Sequence, residues 1–213
     1  MGITERKERE KEQRRNDILD AAEKVFFSRG VDNATMDEVA EAAELSKGTL
    51  YLYFKSKEEL YMGIHIRGHK ILNDMFCQAL ETAGPGIQKV REIGKAYFRF
   101  SREYPNYFHA LLYFEISGFD FSDQESLAYQ CHLQGEACMA CVTQAIQTGI
   151  EDGSIRADLD PQKTAWLLWG VSSGIIQNLA TKGEHLISMH GIKPEEIVEE
   201  FFRFVYTALT SGD

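Results

Sequence analysis

The 213-residue chain carries a net charge of −10, with 44% hydrophobic and 26% charged residues, the balance of a globular protein able to bury a sizeable core. Its apolar runs are short and broken by charge, which excludes a membrane span. The N-terminus MGITERKEREKEQRRND has no apolar stretch of the kind a secretory signal needs, and Arg6 stands where N-myristoylation requires Ser or Thr. The expectation is a cytoplasmic protein with no membrane partner. Acidity argues against nucleic acid, yet it is unevenly spread. Residues 1–57 hold 11 Lys and Arg against 12 Asp and Glu, the remainder 12 against 21. The first quarter can therefore gather a basic face while the rest repels polyanions.

Apolar residues recur at three and four along nearly the whole chain and no alternating run suggests a strand, which predicts an all-α protein of about nine helices. The first runs from about Glu10 to Arg29, with Ile18, Ala22, Val25 and Phe26 on one stripe and Gly30 as its stop. The charged residues before it either extend this helix or fray. Thr35-Met36-Asp37-Glu38 is a capping box and opens a short helix ending near Ala43. Ser46 caps a third through Phe54. Ser56-Lys57-Glu58-Glu59 reads as a second capping box, opening a long helix to about Glu81. AGPG at 83–86 is the clearest break. Helices follow at about 86–103, 105–116, 123–151, 161–182 and 194–210, with Pro105, Pro161 and Pro194 at first-turn positions.

The stretch SKGTLYLYFKSKEEL, residues 46–60, carries the chemistry. Leu50 and Phe54 are one turn apart and form an inward face, which leaves Lys47, Tyr51, Tyr53, Lys55 and Lys57 largely outside. Two short helices joined by about three residues, the second capped by Ser, form a helix-turn-helix whose second helix enters the major groove. Gly48 lets backbone approach the sugar-phosphate wall. Lys47 and Thr49 reach phosphates or base edges, and the Tyr51 and Tyr53 rings pack on thymine methyls or sugars while their hydroxyls bond phosphates. Lys57 at a helix N-terminus is explained by a phosphate there. Arg14 and Arg15 add phosphate or minor-groove contacts. The competing interpretation is a solvated helix with half-buried tyrosines.

Residues 17–60, DILDAAEKVFFSRGVDNATMDEVAEAAELSKGTLYLYFKSKEEL, resemble the DNA-binding domain of the tetracycline-repressor (TetR) family of bacterial regulators, and EDGSIRADLDPQKTAWLLWG at 151–170 is similar to the family's turn before its eighth helix. The resemblance implies a homodimer. Its three-helix DNA-binding domain occupies 1–57, and a helical domain at 58–213 handles ligand and dimerisation. The fourth helix moves when ligand enters. It also places Thr35, Ser46, Lys47, Gly48, Thr49, Tyr51, Tyr53 and Lys57 on the family's DNA-contact positions. Glu44 departs from a glycine frequent in the family's turn, and Leu52 from a frequent tyrosine.

Elsewhere, Cys131, His132, Cys138 and Cys141 have spacing that allows metal binding, but the cysteines follow the apolar stripe of Leu127, Val142 and Ala145, and core packing is expected; thiol sensing stays open. His65 and His69 sit one turn apart, where a polar contact to ligand or a neighbouring helix is expected rather than a metal. The aromatic density of 97–121 suggests a pocket as well as ordinary packing. His65, Tyr97, Tyr104, Tyr107, Phe108 and Trp166 are its candidate ligand contacts, and Glu115 a group to orient the ligand. Gly170, Ser173 and Gly174, with the stripe Ile197, Phe201, Phe204 and Val205, are expected at a homodimer seam. No catalytic grouping, metal or cofactor is expected. The sequence thus points to a repressor released from a palindromic operator in double-stranded DNA by a small apolar or aromatic effector. An activator or a protein-controlled regulator is the alternative, and a helical enzyme or carrier with a nucleic-acid-binding head the more remote one.

Overall fold

The computed structural model describes residues 2–116 and 122–210, with side chains other than those of Ile3 and 113–116. The Glu115 side chain and the end of the aromatic segment therefore lie outside what is described. Among those described, nine helices and no strand occur: α1 (Ile3–Arg29), α2 (Met36–Ala42), α3 (Lys47–Tyr53), α4 (Lys57–Leu80), α5 (Gly86–Glu103), α6 (Pro105–Ile116), α7 (Leu127–Glu151), α8 (Pro161–His190) and α9 (Pro194–Thr210). None is long and apolar enough to cross a membrane.

The charged N-terminus continues α1 back to Ile3. Helix α7 starts at Leu127, not 123, because residues 124–126 form a turn whose Ser126 Oγ accepts from Tyr129 N–H at 3.1 Å. Helix α8 runs eight residues past the expected 182. Gly183, which suggests a stop, is buried, with a would-be Cβ 3.5 Å from Pro194. The stop is Gly191 at φ +67°, a left-handed conformation that glycine adopts without strain.

The chain packs as two compact units, one of Met1–His69 and Asn106–His132, the other of Lys70–Pro105 and Leu133–Asp213. Helix α4 supplies residues to both, so a boundary after residue 57 coincides with neither unit's edges. The first unit closes around Ile18, Ala22, Phe26, Val39, Leu50, Phe54, Leu60 and Ile64, each of these side chains larger than alanine contributing about 1.5–3 kcal/mol by leaving water. The cysteine stripe is indeed core in part: Cys131, Cys138 and Cys141 are buried.

In the second unit α5 and α7 touch backbone to backbone. A Cβ on Gly86 would stand 2.0 Å from Gly149 N and 2.3 Å from its Cα. The turn after α7 caps α5: Asp152 accepts from Gly86 N–H at 2.7 Å and Ser154 Oγ from Ile87 N–H at 3.1 Å. The Ser154 hydroxyl, then the Gly86 and Ser154 amides, hold the Asp152 carboxyl below its usual range. Gly86→Ala is expected to destabilise the protein by about 2–3 kcal/mol, the scale of overpacking in a close-fitting interior. Thermal unfolding measures it, and an unchanged midpoint would contradict the close approach.

Candidate nucleic-acid interface

Three local devices fix the geometry of α3. Thr35 Oγ1 accepts from Glu38 N–H at 3.3 Å while Glu38 Oε2 accepts from Thr35 N–H at 2.9 Å, the reciprocal box that starts α2. Glu38 also pairs with Arg29, and the Thr35 amide is the main reason its carboxyl lies below the usual range. Helix α2 ends in a Schellman arrangement: Leu45 N–H reaches Ala40 O at 2.9 Å and Glu44 N–H reaches Glu41 O at 3.0 Å. Glu44 sits at φ +55°. The turn thus keeps the left-handed shape glycine favours, at about 1–2 kcal/mol for a residue with a Cβ. Ser46 Oγ then accepts from Thr49 N–H at 3.2 Å and lies 2.8 Å from Thr49 Oγ1.

With its start fixed, α3 presents two faces. Leu50 and Phe54 are fully buried, and the Arg15 guanidinium lies 4.3 Å above the Phe54 ring. Arg15 is thus a half-buried part of α1 while Arg14 is exposed. On the other face Tyr51 is 41% and Leu52 81% exposed, beside exposed Ser46, Lys47 and Gly48 and half-buried Thr49 and Tyr53. Among the described residues a Cβ on Gly48 would meet only Ser46 Oγ, at 3.9 Å. Nothing within the molecule demands glycine there, although glycine in a helix is costly relative to alanine. Lys47 Nζ rests 2.7 Å from Asp37 on the surface, and its pKa is raised by that hydrogen bond.

Lys57 differs from expectation. Its ammonium is half-buried and donates to the carbonyls of Asp32 and Ala34, each at 3.2 Å. Backbone oxygens, not a phosphate, explain this lysine. The second capping box also forms only in part: Glu59 N–H donates to Ser56 Oγ at 3.2 Å, but Glu59 Oε2 accepts from Lys55 N–H at 2.7 Å. Arg67 escaped sequence reasoning. It donates to Asp20 at 2.7 Å, Glu23 at 2.9 Å and both oxygens of Asn16, and the Tyr107 hydroxyl donates to Glu23 at 2.8 Å. The network joins α1, α4 and α6 within the first unit. A lone arginine amid the apolar residues of α4 was its only signal.

The six candidate ligand contacts divide between the two units. His65, Tyr107 and Phe108 belong to the first unit, and Tyr97, Tyr104 and Trp166 to the second. His65 is buried with its ring 4.4 Å from that of His69. Burial first, then the His69 charge, pushes its pKa down to about 2. Tyr107 packs edge-on against Phe27 and burial raises its phenol pKa. Tyr97 shares a 2.8 Å hydrogen bond with Ser173, Tyr104 stacks near Phe100, and Trp166 is half-exposed beside Trp169. The second unit instead holds a cavity of about 470 Å³ lined by Met75 and Ala79 of α4, Phe98 of α5 and Phe202 of α9, with Lys95, Arg99 and Arg102 of α5 at its wall. None of the six lines it.

Two expected seam residues also face inward. Ser173 is buried against Tyr97. Phe201 is buried between the rings of Phe98 and Phe202, at 5.9 and 5.7 Å. Phe204 is 67% exposed, Ile197, Val205 and Gly174 are half-buried, and Gly170 is exposed.

The sequence pattern of the family described as bacterial regulatory proteins, tetR family, matches residues 18–63, the segment from the α1 core stripe to the first turns of α4. The HTH-type transcriptional activator FasR of Mycolicibacterium smegmatis is 34% identical over 143 residues, covering 66% of this chain and 63% of FasR. The helix-turn-helix segment belongs to the tetR family of bacterial regulatory proteins. A second relative, the HTH-type transcriptional repressor KstR2 of Rhodococcus jostii, is 29% identical over 162 residues, covering 72% of this chain and 77% of KstR2. The fold matches that of a transcriptional regulator FadR from Bacillus subtilis, solved in complex with stearoyl-CoA, with a TM-score of 0.67 at 15% identity over 91% of this chain and 98% of that one.

The exposed glycine of this segment gives a discriminating test. Gly48→Ala is expected to leave stability unchanged or raise it by up to about 1 kcal/mol, while weakening operator binding by about tenfold or more. Lys57→Ala is expected to do the opposite. It lowers the melting temperature through the two freed carbonyls and leaves the salt dependence of binding unchanged, whereas Lys47→Ala flattens that slope by about one. Paired melting and anisotropy titrations decide it; Gly48→Ala with wild-type affinity would contradict the assignment of α3.

Proposed function

We propose that the protein is a homodimeric, ligand-responsive repressor, acting in the cytoplasm, that reads a palindromic operator through α3 and leaves it when an effector occupies the second unit. The observation that carries this is the exposed face of α3. It offers a glycine without an internal reason, a lysine held only by a surface carboxylate and an exposed Tyr51–Leu52 pair. Lys47, Thr49 and the Tyr51 hydroxyl serve phosphates and base edges. Leu52 supplies an apolar contact for thymine methyls or sugars where a tyrosine would add a hydroxyl. Ser46, Thr35, Tyr53 and Arg14 flank that face; Arg15 buttresses it. Repression is favoured by the likeness to KstR2. Activation is the second interpretation, since FasR is named an activator, and a reporter behind the operator separates the two.

A palindrome needs two heads about 34–36 Å apart. Trp166, Leu167 and Val171 of α8 and Phe204 and Tyr206 of α9 are exposed, and Gly170 and Gly174 have open space around them among the described residues. This apolar surface suits a two-fold packing of α8 and α9 on a partner copy. Phe204→Glu is expected to give a folded monomer that binds operator weakly, measured by sedimentation. A persisting dimer would contradict this seam.

For the effector, the cavity beside Met75, Ala79, Phe98 and Phe202, with Lys95, Arg99 and Arg102 at its wall, suits an apolar chain with a polyanionic head. FadR binds such a molecule in its stearoyl-CoA complex. We therefore assign an acyl-CoA thioester to this cavity rather than a neutral aromatic. Linkage requires effector and operator to weaken each other by the same factor, on the order of 1–3 kcal/mol of coupling. In an anisotropy titration, long-chain acyl-CoA is expected to release operator and free CoA to leave it bound, with the response lost in an Arg99→Ala/Arg102→Ala variant. Release that persists in that variant would contradict the site.

A further inference from the structure

Cys77 of α4 and Cys141 of α7 both belong to the second unit, with sulfurs 3.7 Å apart. Cys77 is exposed and Cys141 buried. Cys141 Sγ also approaches Asn73 Oδ1 at 3.8 Å, and burial, then the Cys77 thiol, pushes its pKa up to about 11. Packing alone explains a buried apolar thiol. It does not explain why the one exposed cysteine meets a buried thiol at this distance. A disulfide needs sulfurs at about 2.05 Å, a closure of less than 2 Å that χ1 rotations and small helix shifts can supply.

We propose that Cys77 and Cys141 form an oxidation site, at which a peroxide converts the two thiols into an intramolecular disulfide joining α4 to α7. The exposed Cys77 meets the oxidant first. Its thiolate attacks one peroxide oxygen, the O–O bond breaks, and the departing hydroxide takes up a proton as water, leaving a sulfenic acid on Cys77. Cys141 sulfur then attacks the Cys77 sulfur. The S–O bond breaks and hydroxide leaves with the Cys141 proton as a second water. Two thiols and one hydrogen peroxide thus give one disulfide and two waters, the sulfur pair losing the two electrons the peroxide gains. Cys141 acts as the resolving partner, protected from oxidant until Cys77 has reacted. Cys131 is buried against Met62 O at 3.6 Å, with its pKa raised by burial to about 12, and burial likewise raises that of Cys138. In a reducing cytosol such a bond forms only under oxidative load, as sensing cysteines do.

The test treats the full-length reduced protein with stoichiometric hydrogen peroxide, blocks remaining thiols, and maps peptides under non-reducing conditions. The expected result is a loss of two hydrogens per chain, a Cys77–Cys141 linked peptide, and a higher melting temperature that dithiothreitol returns to the starting value. The linked peptide and the shift are expected to persist in Cys131→Ser and Cys138→Ser and to vanish in Cys77→Ser and Cys141→Ser. A Cys77–Cys138 bond, a bond between chains, or sulfinic acid at Cys77 without a linked peptide in the wild type would each overturn the assignment.

Discussion

The burial of Leu50 and Phe54 is the constraint on which the functional surface depends. Helix α3 has seven residues, far too few to hold its shape alone. It exists because Leu50 and the Phe54 that caps its end are fully removed from water into the core made by α1, α2 and the start of α4. That anchoring sets its rotation, and rotation decides which residues face out. Arg15 over the Phe54 ring and the Arg67 cluster on Asn16, Asp20 and Glu23 stiffen the helices beneath. A short helix becomes a rigid probe only because its inner face is locked.

Local devices were legible in the sequence because both partners of each contact lie within a few residues. The Thr35–Glu38 box, the Ser46 cap and the starts of α5, α6, α8 and α9 stand where their spacing puts them. Contacts between distant residues were not legible. Lys57 looked like a phosphate ligand until Asp32 and Ala34 supplied carbonyls from 25 and 23 residues away. Phe201 looked like a seam residue because periodicity identifies an apolar stripe, not what covers it; Phe98 does. Gly183 lies inside α8, which stops at the left-handed Gly191 instead. The cations Lys95, Arg99 and Arg102, spaced by four and three, were visible in the sequence but overshadowed by the rings between them.

The acidic balance of the whole also has a structural counterpart. Lys47 is paired with Asp37 and Arg29 with Glu38 on the surface, and surface pairs of this kind are weak and easily exchanged. A phosphate can replace Asp37 on Lys47, so the basic groups of α3 are shielded in the free protein and offered on contact. The near-neutral balance of residues 1–57, 11 Lys and Arg against 12 Asp and Glu, implies modest non-specific affinity for DNA. In the function proposed here, discrimination rests on shape, on the close approach at Gly48, and on Tyr51 and Leu52.

The central claim is that this chain reads a specific, two-fold DNA sequence. Selection from a pool of random duplexes, followed by anisotropy titration of the enriched sequence and a scrambled version at fixed salt, tests it most directly. The account predicts a palindromic consensus with half-site centres about one helical turn apart and a preference over the scrambled duplex of at least about 10³-fold. Absence of enrichment, or equal affinity for the two duplexes, would contradict it.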